Sequence, residues 1–361
     1  MIPIEFQTTN PRGSSYIPIP GLYLMFRKIF KSIGILVPVL LLLFYFTVVV
    51  CFLNRWDSVV PFTLIPFWLW TAIGAALSLL SWILFRHQIS IIIFIVWLVT
   101  GIAFSYETRG MFREMAFALS PEKPSSLADR EPDVFRIISV HCRDGDADAA
   151  LETVPYDPDI IFLQRSPLLS ELTEIGTKIY GVDAAIIRTH TNAIIARGEF
   201  LTTQTSEDKK AQHARLRLTK GQIIDLTNIE LPRSLPTFKL WDTARWEPLI
   251  LNRVENRKRM RKYLEGYNTS LELPPRIVGG DFGTSPGDNI FRPLKRSAFS
   301  DGYNTVGSDW GNTYPASTPF FRHTQFWLSN GIQPVRVRTV RSKHSDQKIV
   351  ICDFKITVPS E

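Results

Sequence analysis

The chain has 361 residues, of which 41 are Lys or Arg and 34 are Asp or Glu. These charges are unevenly spread, because residues 32–106 contain only three of them, Arg55, Asp57 and Arg86. The rest of the chain is about 25% charged, as in an ordinary soluble domain. The composition excludes a purely soluble protein and a transporter that fills the whole chain. It predicts a membrane segment and one sizeable globular domain.

The net charge of +7 is concentrated near the N-terminus, since residues 1–31 alone contribute +3. A basic segment in front of an apolar run is typical of membrane orientation rather than of a nucleic-acid surface. Nucleic acid is therefore not an expected partner, whereas the lipid bilayer is.

Three apolar runs predict transmembrane helices at about residues 33–53, 59–85 and 89–105. The alternatives are a helix buried in a soluble domain and, for the first run, a signal peptide. That run is longer than the apolar part of a typical signal peptide, and no small-residue cleavage pattern follows it. Five basic residues flank the spans on the N-terminal side against three on the other, Arg55, Arg109 and Arg113. This bias predicts a cytoplasmic N-terminus and an extracytoplasmic C-terminal domain in an inner or plasma membrane.

After the spans, residues 107–133 form a polar linker rich in Pro and Ser, within which 111–119 are compatible with a short interfacial helix. Residues 134–358 then alternate short apolar runs with turn residues. Strands are predicted from residues 135, 159, 192, 223, 276, 324 and 348, and helices at 146–154, 166–175 and 249–265. The pattern predicts an α+β domain with a central pair of sheets between layers of helices.

The cysteines and one basic run leave alternatives open. Cys142 and Cys352 are either buried free thiols or, in an oxidising compartment, a disulfide. The basic run at 252–262 is either a solvated helix face or a contact for anionic lipid or nucleic acid.

Four segments in order resemble the endonuclease/exonuclease/phosphatase superfamily, which has the DNase I-like fold. They are PDIIFLQ at 158–164, GGDF at 279–282, WGNTYPAS at 310–317 and SDQKIVICDF at 345–354. The resemblance covers residues 134–358 and implies a four-layer α/β sandwich. It also implies metal-dependent hydrolysis of phosphoesters, and some bacterial members of the family are tethered to a membrane.

Most positions that the resemblance assigns to catalysis carry other residues here. The family's metal-binding glutamate falls at Arg165, and its central histidine falls at Glu230. An asparagine of the family falls at His141, and an aspartate falls at Gln325. The family's Asp-Asn pair falls at Asp281 and Gly283, and its closing Asp-His pair falls at Asp346 and Gln347. Asp281 and Asp346 are the residual catalytic candidates.

These substitutions predict a degenerate active site, a pseudoenzyme. An arginine in place of the metal carboxylate reverses the charge where Mg²⁺ needs oxygen ligands, and each lost acid-base group costs about 10²–10⁴ in rate. Asp281 and Asp346 would then serve to hold turns. Arg165, assisted by His141 and Arg143, is a candidate site for a phosphate or another anion; alternatively, Arg165 is neutralised by Asp281 or Glu230.

Two histidines near the assigned positions, His323 and His344, are expected on loops that face water. The predicted function is a membrane-anchored, catalytically degenerate domain that binds a phosphate-containing ligand or a protein partner, with no metal cofactor. One alternative is a divergent phosphodiesterase or phosphatase that uses Mg²⁺ and acts near the membrane. A second alternative is a structural component of an envelope complex.

Overall fold

A computed structural model describes residues 20–119, 130–233, 242–265 and 273–357. Most of the predicted basic segment 1–31, residues 120–129 of the predicted linker and residue 358 lie outside these ranges. The helices are α1 Pro20–Asn54, α2 Val60–Thr63, α3 Phe67–Phe85, α4 Gln88–Phe104, α5 Tyr106–Leu119, α6 Ala147–Leu151, α7 Leu169–Tyr180, α8 Trp246–Tyr263, α9 Arg292–Arg296 and α10 Gly302–Val306. The strands are β1 Phe135–His141, β2 Ile160–Gln164, β3 Ala184–Arg188, β4 Asn192–Thr205, β5 Ala211–Leu218, β6 Ile223–Glu230, β7 Arg276–Asp281, β8 Ser300–Asp301, β9 Thr324–Leu328, β10 Ile332–Val340 and β11 Ile349–Ile356.

Two of the N-terminal helices are long and apolar enough to cross a membrane, Lys31–Asn54 and Phe67–Phe85. The predicted second span begins later than residue 59, because Pro66 stands immediately before the first turn of α3. α4 has 17 residues and continues into α5 through a bend of 77°. Three spans result only if this bent pair is counted as one, so the third span stays a prediction.

The N-terminal helices pack through small residues and aromatic rings. Gly74 of α3 faces the indole of Trp97 on α4 so closely that a Cβ at residue 74 would collide with the ring. The Tyr45 and Trp97 rings meet edge to face, with 5.0 Å between their centroids. Close approach at small residues is the usual way in which membrane helices associate.

The C-terminal part is a sandwich of two sheets that share the long strand β4. The strand order is β10-β11-β1-β2-β4-β5-β6-β7-β9-β8, and β3 pairs with β4. β4 pairs with β2 and β3 through its first half and with β5 from Gly198 onward, and the ladder with β5 contains a bulge between Phe200 and Thr202. A bulge bends a strand and increases its twist, so β4 passes from one sheet to the other.

Three apolar clusters give the sandwich its layers. The central cluster joins the inner faces of both sheets, with Phe162 from one and Phe326 from the other at 6.1 Å between ring centroids. A second cluster packs α6 and α7 on the outer face of the first sheet, and a third packs α8 and α9 on the outer face of the other. The order helix, sheet, sheet, helix agrees with the predicted layered domain. Cys142 and Cys352 are free thiols in different clusters.

Candidate functional site

The ends of five neighbouring elements meet at one edge of the sandwich. β1 and β2 are parallel, and so are β6 and β7. Their carboxyl ends therefore lie side by side, with His141 opposite Gln164 and Glu230 opposite Asp281. The turn before β11 brings Asp346 and Gln347 to the same edge, as their hydrogen bonds to Arg233 and Asp281 show. These side chains line one polar cleft, which we call the strand-end cleft.

Arg233, which the sequence did not single out, lies across the strand-end cleft. Its Nη1 donates to Asp346 Oδ2 at 2.8 Å, and its Nε lies 3.5 Å from Asp281 Oδ2. The Tyr314 ring covers the guanidinium, with 4.7 Å from the guanidinium carbon to the ring centroid. One arginine thus compensates both carboxylates that remain from the family pattern.

His141 lies beside both carboxylates. Its Nδ1 lies 3.0 Å from Asp346 Oδ1, and its Nε2 lies 3.8 Å from Asp281 Oδ2. Burial disfavours the charged form of Asp346, but the hydrogen bonds from His141 and Arg233 outweigh burial and lower the pKa of this carboxyl. Asp346 is therefore a carboxylate throughout the physiological range, already engaged by the protein.

Asp281 is held by two further donors. Its Oδ1 accepts from the backbone N–H of Gly283 at 2.9 Å, and its Oδ2 accepts from Gln347 Nε2 at 2.6 Å. Gln347 Oε1 in turn accepts from the Thr324 hydroxyl at 2.8 Å. A chain of neutral amide and hydroxyl groups thus leads from the Asp281 carboxylate to β9.

The assignment of Gln325 to the cleft does not fit the structure. Its Nε2 donates to the carbonyls of Thr284 and Arg322, each at 2.9 Å, and its Oε1 accepts from the indole of Trp327. The residue of β9 that contacts Gln347 is its neighbour, Thr324. Neighbouring side chains of a strand point to opposite faces, so Thr324 faces the cleft and Gln325 faces away from it.

The two histidines near the assigned positions differ from each other. His344 is exposed, as expected, and its Nδ1 lies 3.6 Å from Asp146. His323, expected to face water, is fully buried and stacks between Tyr314 and Phe321 at 5.0 and 5.7 Å between ring centroids. Burial lowers the pKa of His323 to about 4, so its ring is neutral at physiological pH.

The three residues of the candidate anion site are not brought together. Arg165 is 49% exposed at the mouth of the strand-end cleft, where its Nε lies 3.4 Å from Glu230 Oε1 and its Nη1 lies 3.5 Å from Asp144. Arg143 is exposed in the turn after β1. His141 itself contacts Asp346 inside the cleft. Arg143 and Arg165 are thus both exposed cations, and Arg165 is the one that contacts Glu230 of the cleft.

The donor set does not fit a divalent metal ion. Mg²⁺ requires carboxylate and water oxygens that are free to bind it. Asp281 and Asp346 are bonded to protein donors, and the guanidinium of Arg233 between them repels a cation. Glu230 Oε2 is buried and has no hydrogen-bond partner within the described ranges, but a single carboxylate oxygen beside Arg165 does not make a metal site.

No protein-family model matches the sequence, and no curated protein matches it significantly. Solved structures are similar to the chain at low identity. An endonuclease/exonuclease/phosphatase from Bacteroides vulgatus is 11% identical, with a TM-score of 0.48 over 62% of this chain and 99% of that one. A mannosyl-6-phosphatase from Bacteroides thetaiotaomicron is 13% identical, with a TM-score of 0.46 over 61% and 99%. A humanized TDP2 from D. rerio is 14% identical, with a TM-score of 0.46 over 62% and 99%.

Proposed function

We propose that the protein is a membrane-anchored domain of the endonuclease/exonuclease/phosphatase type that binds a ligand without hydrolysing it. The observation that carries this proposal is Arg233, which spans the strand-end cleft between Asp281 and Asp346. A hydrolase of this type needs a metal cation and an incoming phosphate in that space. Here a fixed cation of the protein already neutralises both carboxylates.

The membrane anchor is supported by α1 and α3, which are long and apolar enough to span a bilayer. Tethering keeps the strand-end cleft near a membrane surface, where phosphate-containing molecules are abundant. The ligand class that we propose is a phosphate-containing anion.

Arg165 is the proposed anion contact. Its guanidinium is half-exposed, and its separations of 3.4 Å from Glu230 and 3.5 Å from Asp144 are long for ion pairs. An incoming phosphate offers bidentate, charge-assisted hydrogen bonds that are shorter and stronger than these contacts. A protein partner that presents a carboxylate would bind the same guanidinium N–H groups. The binding experiment below distinguishes a phosphate ligand from such a partner.

Hydrolysis is tested with the full chain in detergent, incubated with phosphodiester and phosphomonoester substrates in Mg²⁺, Mn²⁺ or Ca²⁺. We expect no turnover above the protein-free rate, and Asp281→Ala should leave that rate unchanged. Robust turnover that Asp281→Ala abolishes would overturn the proposal and establish the hydrolase alternative.

Binding is tested by titrating inorganic phosphate and following the melting temperature of the full chain. We expect saturable stabilisation, with an affinity at least about tenfold weaker in Arg165→Ala because a charge-assisted contact is lost. Arg217→Ala is the matched control, since Arg217 is 48% exposed and pairs with Glu199 away from the cleft. If phosphate does not raise the melting temperature of the wild-type chain saturably, the phosphate-containing ligand is refuted. The alternative ligand is then a protein partner.

A further inference from the structure

A second polar site lies where the membrane helices meet the sandwich. A partly open cavity of about 70 Å³ is lined by the ends of α1, α3 and α4 and by the loop after β7. Its polar end is formed by Arg55, Tyr106 and Ser285. Its sides are formed by apolar residues of the helices, among them Phe67 and Phe104. We call it the junction cavity.

Arg55 has no carboxylate partner in the junction cavity, and its guanidinium carbon lies 5.6 Å from the centroid of the Phe52 ring, which lines the same cavity. No residue of the described ranges accepts a hydrogen bond from its guanidinium or places a carboxylate oxygen within ion-pair distance of it. Two other arginines of the junction behave differently, because Arg253 bonds to Asp288 at 2.9 Å and Arg257 bonds to Asp57 at 2.7 Å. A half-buried charge is normally paired, so the lack of a carboxylate at ion-pair distance from Arg55, within the described ranges, indicates a missing ligand.

The surroundings of Arg55 carry excess positive charge. The nearest carboxylate, Asp288, is already bonded to Arg253 and to the backbone N–H of Ile290. Burial lowers the pKa of Lys295, and the nearby positive charge of Arg55 lowers it further. Lys295 has no carboxylate at ion-pair distance among the residues that the structure describes. The missing ligand is therefore an anion.

The junction cavity lies at the end of the apolar bundle. The Phe67 ring packs against Phe52 at 5.0 Å and against Phe104 at 6.2 Å between centroids, so α1 ends, α3 begins and α4 ends at the same level. Leu53 and Phe104, which line the cavity, are also exposed on the outer surface of the bundle. In a bilayer, this level corresponds to the boundary between acyl chains and head groups.

α5 gives a second indication of that level. It turns away from α4 by 77° and leaves a row of large apolar side chains exposed, Met111, Phe112, Met115 and Leu119. Its opposite face is fixed to the sandwich, where Arg113 donates to the carbonyls of Asn304 and Thr305 at 3.0 and 2.8 Å. A helix with this arrangement lies in the membrane surface with its apolar face among the lipids.

We propose that the junction cavity binds the head-group phosphate of an anionic phospholipid through Arg55. The acyl chains of the lipid would lie along the exposed surface formed by Leu53 and Phe104. The inference rests on the membrane anchoring proposed above, but it is independent of the strand-end cleft. The bound lipid would hold the sandwich in a fixed orientation on the bilayer.

The experiment compares lipid binding by the full chain in detergent for five sequences. The probes are a short-chain phosphatidylglycerol, a short-chain phosphatidylcholine and inorganic phosphate, and the readout is the ligand-dependent rise in melting temperature. Arg55→Asn removes the cation while keeping a residue type that tolerates the positive φ of 49° at this position. Gly287→Ala keeps every charge but places a Cβ where it collides with Arg55 Nη1. Arg109→Gln removes an exposed basic residue of α5 that does not line the cavity.

We expect phosphatidylglycerol to stabilise the wild-type chain and Arg109→Gln equally, and to bind Arg55→Asn and Gly287→Ala at least about tenfold more weakly. The proposal is overturned if Arg55→Asn and Gly287→Ala bind phosphatidylglycerol as the wild type does. It is also overturned if phosphatidylcholine stabilises the chain as well as phosphatidylglycerol, or if the wild type binds none of the three. Free phosphate is compared in Arg165→Ala, where the strand-end cleft no longer contributes, and the proposal is overturned if free phosphate stabilises this variant as well as phosphatidylglycerol does. Extraction of the wild type from membranes by alkaline carbonate would refute the anchoring itself, which is a separate result.

Discussion

Arg233 determines the chemistry of the strand-end cleft, because it is the cation between two carboxylates. Replacing it by methionine leaves Asp281 buried with only neutral donors from Gln347 and Gly283. Removing one partner of a buried ion pair lowers the free energy of unfolding by about 3–5 kcal/mol. Because Arg233 is partly exposed, we expect a decrease near the lower end of this range. Thermal unfolding of Arg233→Met should show this loss at neutral pH.

The decrease in the free energy of unfolding caused by Arg233→Met should become smaller at acidic pH. The folded-state pKa of Asp346 is lowered, so the stability that its carboxylate contributes is present above about pH 4 and is lost as the pH falls towards the folded value. The control is Arg217→Met, which removes an exposed pair and should cost less than about 1 kcal/mol at any pH. An equal loss in both variants would show that Arg233 is not holding the cleft together.

His323 should make the stability of the chain depend on pH between about 4 and 6.5. Its ring is neutral in the folded protein with a pKa of about 4, whereas the unfolded chain takes up a proton near pH 6.5. Stability is then complete above pH 6.5 and falls by up to about 3 kcal/mol as the pH decreases to 4. His323→Phe keeps a stacked ring between Tyr314 and Phe321 and should flatten this decline in urea unfolding curves. His344→Ala should leave the decline unchanged, because His344 is exposed.

The sequence was sufficient to place most residues of the strand-end cleft. Asp281, Glu230 and His141 each end a strand with a clear apolar pattern, and the ends of parallel neighbours meet at one edge. Arg233 was missed because it follows β6 on an irregular segment, where no periodicity shows the direction of a side chain. Gln325 was misassigned because register within a strand is decided by pairing across the sheet, which the sequence alone does not reveal.

At the scale of elements, four strands were not predicted, β3, β5, β8 and β10, and the two longest of them lack a continuous apolar run. β5 alternates Ala214, Leu216 and Leu218 in the core with His213, Arg215 and Arg217 outside it, and β10 contains Pro334 and two arginines. The continuous apolar runs of β1 and β2 were easier to recognise because both of their faces are covered. A search for a period of two would have found β5.

α8 also differs from the expected solvated basic helix. Arg253 is fully buried, donates to Asp288 and to the carbonyl of Trp56, and lies 3.8 Å from Asp57, while Arg257 forms two hydrogen bonds with Asp57 at 2.7 and 2.8 Å. These pairs attach α8 to the loop that follows α1. Arg253 and Arg257 therefore join the sandwich to the N-terminal helices, whereas Lys258, Arg261 and Lys262 of the same helix are exposed.

Asp57→Asn should loosen this joint. The hydrogen bonds from Arg257 lower the pKa of Asp57, and the substitution removes the charge that they stabilise. We expect a loss of about 1–2 kcal/mol and faster amide hydrogen exchange in α8, with little change in the central strands. Asp242→Asn is the control, since its pair with Arg245 is exposed. Unchanged exchange in α8 would show that Asp57 does not anchor this helix.

At the scale of the whole molecule, the junction places the sandwich at one end of the N-terminal helix bundle, which would be one side of the bilayer if the bundle spans it as proposed. α1 ends and α4 ends at the junction, so Arg55, Arg109 and Arg113 lie on the sandwich side. The turn between α3 and α4, with Arg86, lies on the opposite side with the N-terminal end of α1, where Gly34 contacts Phe85. The larger number of basic residues on that side predicts that it faces the cytoplasm.

Cysteine labelling tests this orientation. Val182 is fully exposed on the sandwich and Gln88 is exposed on the opposite side of the bundle, so each is replaced by cysteine in a Cys51→Ser background. The native Cys142 and Cys352 are buried and should not react. A membrane-impermeant maleimide should label Val182→Cys in intact spheroplasts and label Gln88→Cys only after lysis. The reverse pattern would place the sandwich in the cytoplasm, with the junction cavity at the inner leaflet.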